Sequence, residues 1–141
     1  MKRGVVVTID YGHTAQDYYS PERSEGTFLC YFKHTISKNP YIRVGEQDMT
    51  AHVNFSALVT TGKWFGLTPM GFTTMANWLM SLGVEELVVD KDQDSEEVRA
   101  LMQLLRPHGM GKTFKVLVQQ KGVELDALQG LRYPAFFEGI V

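Results

Sequence analysis

The run Val5-Val6-Val7-Thr8-Ile9 near the start of the chain constrains the fold more than any other segment, because successive β-branched side chains favour an extended backbone. A strand apolar on both faces belongs inside a parallel sheet with helices above and below it. The run ends abruptly, at Asp10, Tyr11 and Gly12. In open α/β sheets, ligands bind at the carboxyl edge of the strands, which makes Asp10 and Tyr11 candidate site residues. A turn-forming or capping acid is the plainer role for Asp10. Gly12 is expected to turn the backbone with positive φ, and His13 to open the loop that follows.

A second stretch concentrates polar chemistry. Glu46, Gln47, Asp48, Thr50, His52 and Asn54 place six side chains that donate, accept or move protons within nine positions. Asp48, Thr50, His52 and Asn54 recur at every second residue, so an extended backbone would put them on one face and Met49, Ala51, Val53 and Phe55 on the other. Asn54 is also a good N-cap for a helix beginning at Phe55, with Phe55, Leu58 and Val59 forming its apolar stripe. The expectation is extended chain through Val53 and helix from Phe55, which sets the polar residues at a loop-to-helix junction.

Composition narrows the function classes. A chain of 141 residues with 44% hydrophobic content has material for a single domain, taken here as 1–141. Fourteen basic residues against sixteen acidic ones give a net charge of -2, which argues against nucleic acid and anionic lipid as partners. Cys30 is the only cysteine, so there is neither an intrachain disulfide nor a zinc site of Cys type, and no metal is expected. No apolar run approaches the roughly 18 residues that span a bilayer, and a cytoplasmic location is expected.

Along the chain, 4–12 reads as a core strand, 13–54 as a substrate-side loop region, 55–122 as helices and last strands, and 123–141 as a tail. The loop region is rich in Tyr and Phe and resembles a lid or binding loop, with 26–34 as a short strand or hairpin arm. His34 within it is a candidate site residue and equally a structural histidine. Gly66 is placed to end the helix begun at Phe55. Thr74 caps a helix terminated by Gly83, and Ser95-Glu96-Glu97 opens another through Leu105. Phe114 to Gln120 is a last strand, and Leu125, Leu128, Leu131, Phe136 and Phe137 are expected to pack back on the body. This order looks like the carboxyl-terminal half of a doubly wound α/β sheet.

Several motifs together resemble one family. They are Asp10-Tyr11-Gly12, Gly26-Thr27 leading to His34, the stretch from Gly45 to Phe55, Gly71-Phe72-Thr73-Thr74, and Met110-Gly111 before Phe114-Lys115-Val116-Leu117. The chain is similar over about residues 4 to 120 to the S-adenosylmethionine-dependent methyltransferases of the MidA type, which include the mitochondrial complex I assembly methyltransferase. Gln47 to Val53 is the most specific part. The resemblance implies an α/β fold, the C-terminal part of a Rossmann-like class I methyltransferase sheet with flanking helices. It also implies S-adenosylmethionine as cofactor and a protein side chain such as arginine as acceptor. The glycine-rich turn and ribose-binding acid of such enzymes are absent, since Gly109-Met110-Gly111 precedes a strand instead of following one. The family tends to have Asp where Asn54 stands and Arg where Leu29 stands.

Methyl transfer needs proximity, orientation and a group to take the acceptor's proton. Asp10, Asp48 and His52 are the catalytic candidates, and Tyr11, Glu46, Gln47, Thr50 and His34 the substrate-binding ones; carboxylates suit a guanidinium acceptor. The expected partners are a protein substrate, an N-terminal half of the enzyme in cis or trans, and a second copy through the strand at 5–9. A binding or assembly module without catalysis is the alternative. A hydrolase using His52 with Asp48 is weaker, because no Ser or Cys occupies a nucleophile elbow.

Overall fold

In the computed structural model, residues 1–106, 108–133 and 140 are described. Among them, the strands are β1 (Gly4–His13), β2 (Leu29–Phe32), β3 (Thr35–Ser37), β4 (Asp48–Thr50), β5 (Val53–Asn54), β6 (Thr68–Thr74) and β7 (Phe114–Lys121). The helices are α1 (Ala15–Tyr18), α2 (Phe55–Trp64), α3 (Met75–Ser81), α4 (Glu96–Leu105) and α5 (Met110–Thr113).

The larger sheet has the order β5-β1-β7-β6. β7 runs antiparallel to both β1 and β6, whereas β5 runs parallel to β1, so the sheet is mixed. The expectation of parallel neighbours for β1 is therefore corrected: from Gly4 to Tyr11 its strand partner is the antiparallel β7. β7 is the central strand, buried from Lys115 through Gln119 because both of its faces are covered.

Register assigns the faces, since paired residues point the same way. Val6, Thr8 and Asp10 share a face with Gln119, Leu117 and Lys115. α2 packs on that face, where Phe55, Val59, Phe72 and Leu117 form the core and the Phe55 and Phe72 rings lie 5.0 Å apart. Val5, Val7 and Ile9 share the opposite face with Gln120, Val118 and Val116. Val116 and Val118 are fully buried there, yet Val5, Val7 and Ile9 stay 36%, 45% and 46% exposed. The expected burial of β1 on both faces is thus not met among the described residues: the covering elements lie over β6 and β7 and stop short of β1.

The helix starts follow local chemistry. Asn54, Thr74 and Ser95 each accept a hydrogen bond from the N–H three residues on, opening α2, α3 and α4 as expected. Gly66 and Gly83 follow α2 and α3 in the left-handed conformation.

The 13–44 segment carries more structure than its sequence suggests. It holds α1, a 3₁₀ turn at Pro21–Arg23, and the hairpin of β2 and β3 turning at Lys33 and His34, both with positive φ. β4 completes a three-stranded antiparallel sheet in the order β3-β2-β4. The expected single polar face from Asp48 to Asn54 is consequently broken. Asp48 and Thr50 lie in β4, whereas Val53 and Asn54 join β1 across a two-residue interruption at Ala51 and His52. In the tail, Gln129–Leu131 forms a 3₁₀ turn against α3, Leu125 is exposed, and Phe136 and Phe137 lie outside the described residues. No described helix is long and apolar enough to cross a membrane.

Candidate functional site

The site begins with a glycine. A Cβ on Gly12 would lie 2.2 Å from the Val53 carbonyl oxygen and 2.8 Å from a Phe55 ring carbon, so a residue with a side chain would push β5 away from β1. Gly12 is thus needed for close approach inside the strand; it is not among the positive-φ glycines and does not make the expected turn. Pairing of Gly12 with Val53 and of His13 with Asn54 brings His52 beside His13.

The two imidazoles meet with Nε2 of His13 2.8 Å from Nδ1 of His52, a hydrogen bond in which one ring donates and the other accepts. Tyr11 packs edge-on against His52, with centroids 5.6 Å apart, and the His52 backbone N–H donates to Thr27 Oγ1. α1 is fixed alongside. Thr14 caps it from a buried position, and the Ala15 N–H donates to Ser56 Oγ at 3.0 Å. Arg23 then folds back on this helix, donating through Nη1 to the Asp17 carbonyl and to Ser20 Oγ, each at 2.8 Å.

Gly12, His13, Asp17, Arg23 and His52 line a crevice of about 550 Å³ whose far wall is supplied by Thr74, His108, Lys112, Thr113 and Lys115. α5 fits there through Gly111, since a Cβ at that position would lie 2.1 Å from the Leu104 carbonyl oxygen. Burial, then the charges of Arg23, His52 and Lys115, push the His13 pKa down to about 4, with Asp17 opposing. Burial first, then Arg23 and Lys115, also lower that of His52. Lys115 is itself lowered by burial and by Lys112, and its ammonium donates to the carbonyls of Lys112 and Thr113. At neutral pH the His13 ring is therefore uncharged, suited to orienting a hydrogen-bonding group.

Of the residues singled out from sequence, His52 lines the crevice and Tyr11 buttresses it. Asp10 accepts the Tyr11 N–H and stands opposite Lys115 in the ladder. Asp48 and Thr50 lie on the small sheet, opposite Tyr31 and Leu29. Glu46 is exposed in the preceding turn, Gln47 donates to the Asn39 carbonyl, and His34 sits exposed at the hairpin tip. None of these six, Asp10 included, is among the residues that line the crevice. Sequence reasoning passed over His13, Asp17, Arg23, Lys112 and Lys115 as site residues. His13 directly follows the Tyr11-Gly12 strand end, which is a usable signal; the other four come from separate segments. Among the described residues, no group of three or more His, Cys, Asp or Glu converges as a metal would require.

Two solved structures from Burkholderia thailandensis resemble this chain. A COG1565 superfamily member bound to S-adenosyl-homocysteine is 30% identical with a TM-score of 0.83, over 93% of this chain and 35% of that one. A native structure of a COG1565 superfamily protein is 31% identical with a TM-score of 0.85, over 94% and 36%. The chain thus spans about a third of the length of these relatives. No curated protein matches it. Residues 1–73 match the family profile described as "Putative S-adenosyl-L-methionine-dependent methyltransferase". That match takes in more than half of the 141 residues, from β1 through all but the last residue of β6, and the chain belongs to the family so described.

Proposed function

We propose that this chain forms the acceptor-side wall of an S-adenosylmethionine-dependent methyltransferase, as the C-terminal part of its Rossmann-like sheet. The observation that carries the reading is the His13–His52 pair at the carboxyl end of β1, in a chain of this family. The whole cofactor does not fit the crevice. Its sulfonium is a cation, and Arg23, Lys112 and Lys115 line the walls. β1 also leads through Gly12 and His13 into the four-residue α1, where a cofactor cradle would need a glycine-rich turn. The cofactor supplies the methyl group and is held chiefly by other polypeptide, joined in cis or in trans.

What this chain contributes is position. His52, held by Tyr11, Thr27 and His13, accepts a hydrogen bond from the acceptor and turns its lone pair towards the methyl group. The acceptor is a protein side chain. Arginine is the one expected from the resemblance; Asp17 is the crevice carboxylate that would hold a guanidinium, and the three cations oppose it. The open edge of β1 from Gly4 to Tyr11, with the exposed Val5, Val7 and Ile9, is where the remaining polypeptide adds a strand, and where isolated copies self-associate.

The test is radiolabelled methyl transfer from S-adenosylmethionine to peptide acceptors, including an arginine peptide. It compares this chain alone with a mixture containing the polypeptide equivalent to the rest of the relatives. Transfer is expected from the mixture alone, with His52→Ala lowering it about a hundredfold. Tight binding of the cofactor by this chain alone in calorimetry would overturn the assignment of roles. A second reading, a binding or assembly module without catalysis, is favoured by the exposed Tyr31 and Ile36, which share one face of the small sheet. It expects partner capture with no transfer from any mixture.

A further inference from the structure

The crevice has a charge opposite to that of the chain that builds it. The protein carries a net charge of -2, yet Arg23, Lys112 and Lys115 face Asp17 as the one carboxylate among the described lining residues. Lys112 and Lys115 come from the contiguous α5 and start of β7, and the fold brings to them Arg23 from the turn that follows α1. Lys115 is tied to two carbonyls and acts through its field, whereas the exposed Lys112 and the fork of Arg23 stand where a ligand group would enter. The Thr113 hydroxyl, itself a lining group, donates within α5 to the Gly109 carbonyl, and the His13–His52 pair supplies a ring N–H at the floor.

We propose that this crevice binds one anionic group, a carboxylate or a phosphate. The inference builds on the methyl-transfer reading and narrows its substrate class: the anion belongs either to the acceptor or to the amino-acid end of the cofactor. A guanidinium reaching the same space would meet three like charges. One N–H of the imidazole pair is used between the two rings, which leaves the other to donate to the anion. Arg23 brings a fixed guanidinium, its Nη1 engaged by the Asp17 carbonyl and Ser20 Oγ, and Lys112 a mobile point charge.

The test is a titration of the full chain with inorganic phosphate at neutral pH and low ionic strength, following the His13 and His52 ring signals by NMR. A saturable shift is expected, weakened by added salt and weakened at least about tenfold in Lys112→Gln and Arg23→Gln. Lys112 is exposed, so Lys112→Gln serves even where Arg23→Gln disturbs the turn it anchors. No shift at millimolar phosphate, or one indifferent to both substitutions, overturns the proposal. With the complementary polypeptide present, displacement of phosphate by S-adenosyl-homocysteine identifies the cofactor's carboxylate as the anion, and simultaneous binding identifies the acceptor's. Phosphate binding stands apart from catalysis: if it persists while every mixture fails to transfer methyl groups, the methyl-transfer reading fails and the anion site remains.

Discussion

The polar stretch from Gly45 to Ser56 ends up in two unlike regions of the molecule. Its first part, Glu46 to Thr50, lies in and beside the three-stranded sheet, whose strands are three or four residues long and whose fully buried side chain is Cys30. Met49, Ile36 and Tyr31 of that sheet are 61%, 64% and 40% exposed, and the nearby Lys38–Glu25 ion pair is open to water on both sides. Its second part, His52 to Ser56, is fixed from several directions at once. Asn54 caps α2, Ser56 and Phe55 are buried, and His52 is bonded through both backbone and ring. Similar residue types two to six positions apart therefore acquire different capacities. A carboxylate on a short, wet sheet is a rim contact worth little by itself, whereas an imidazole held by three neighbours keeps one geometry.

Substitutions can break or sharpen this contrast. The largest effect is expected for Gly12→Ala, where the new methyl would meet the Val53 carbonyl oxygen and the Phe55 ring. Parting β5 from β1 should cost about 3 kcal/mol in denaturant unfolding and abolish the NMR signature of the His13–His52 contact. Asn54→Ala removes the cap of α2 and should cost about 1 kcal/mol, read as a lower midpoint with an unchanged m-value.

The pH dependence comes next, reduced because the His13 ring is only partly buried. Its pKa is about 4 in the folded protein against 6.5 ordinarily, so the unfolded chain binds the extra proton between these values. Stability should be unaffected by this group above pH 6.5 and should fall as pH drops from 6.5 to 4. His13→Gln should flatten that part of the thermal-denaturation profile. The smallest effect is expected for Asp48→Asn, which should change stability by less than about 0.5 kcal/mol. A cost matching that of Gly12→Ala would erase the distinction between the two regions.

How much of this was legible before folding depends on range. The caps at Asn54, Thr74 and Ser95 and the stops at Gly66 and Gly83 are local chemistry, and the sequence carries them in plain view. His52 was legible as a chemical residue, and Gly12 as an unusual one, though its reason was close approach and not a turn. The partnership of β1 with β7 was not legible. It joins Gly4 to Lys121 and Tyr11 to Phe114, and the alternation within either strand is compatible with parallel or antiparallel neighbours. The same distance hid the cationic wall, because Arg23, Lys112 and Lys115 each read as ordinary surface charge until α5 and β7 bring two of them opposite α1.

The central place of β7 sets the timetable of assembly. β1 is synthesised before β6, but the two do not pair with each other, and both depend on a strand that leaves the ribosome after them. Until Phe114–Lys121 arrives, the valine run of β1 has no ladder partner apart from two residues of β5, so nascent chains are most vulnerable to misassociation during that interval. Slowing translation before residue 114 should therefore increase aggregation, whereas slowing it after residue 121 should not.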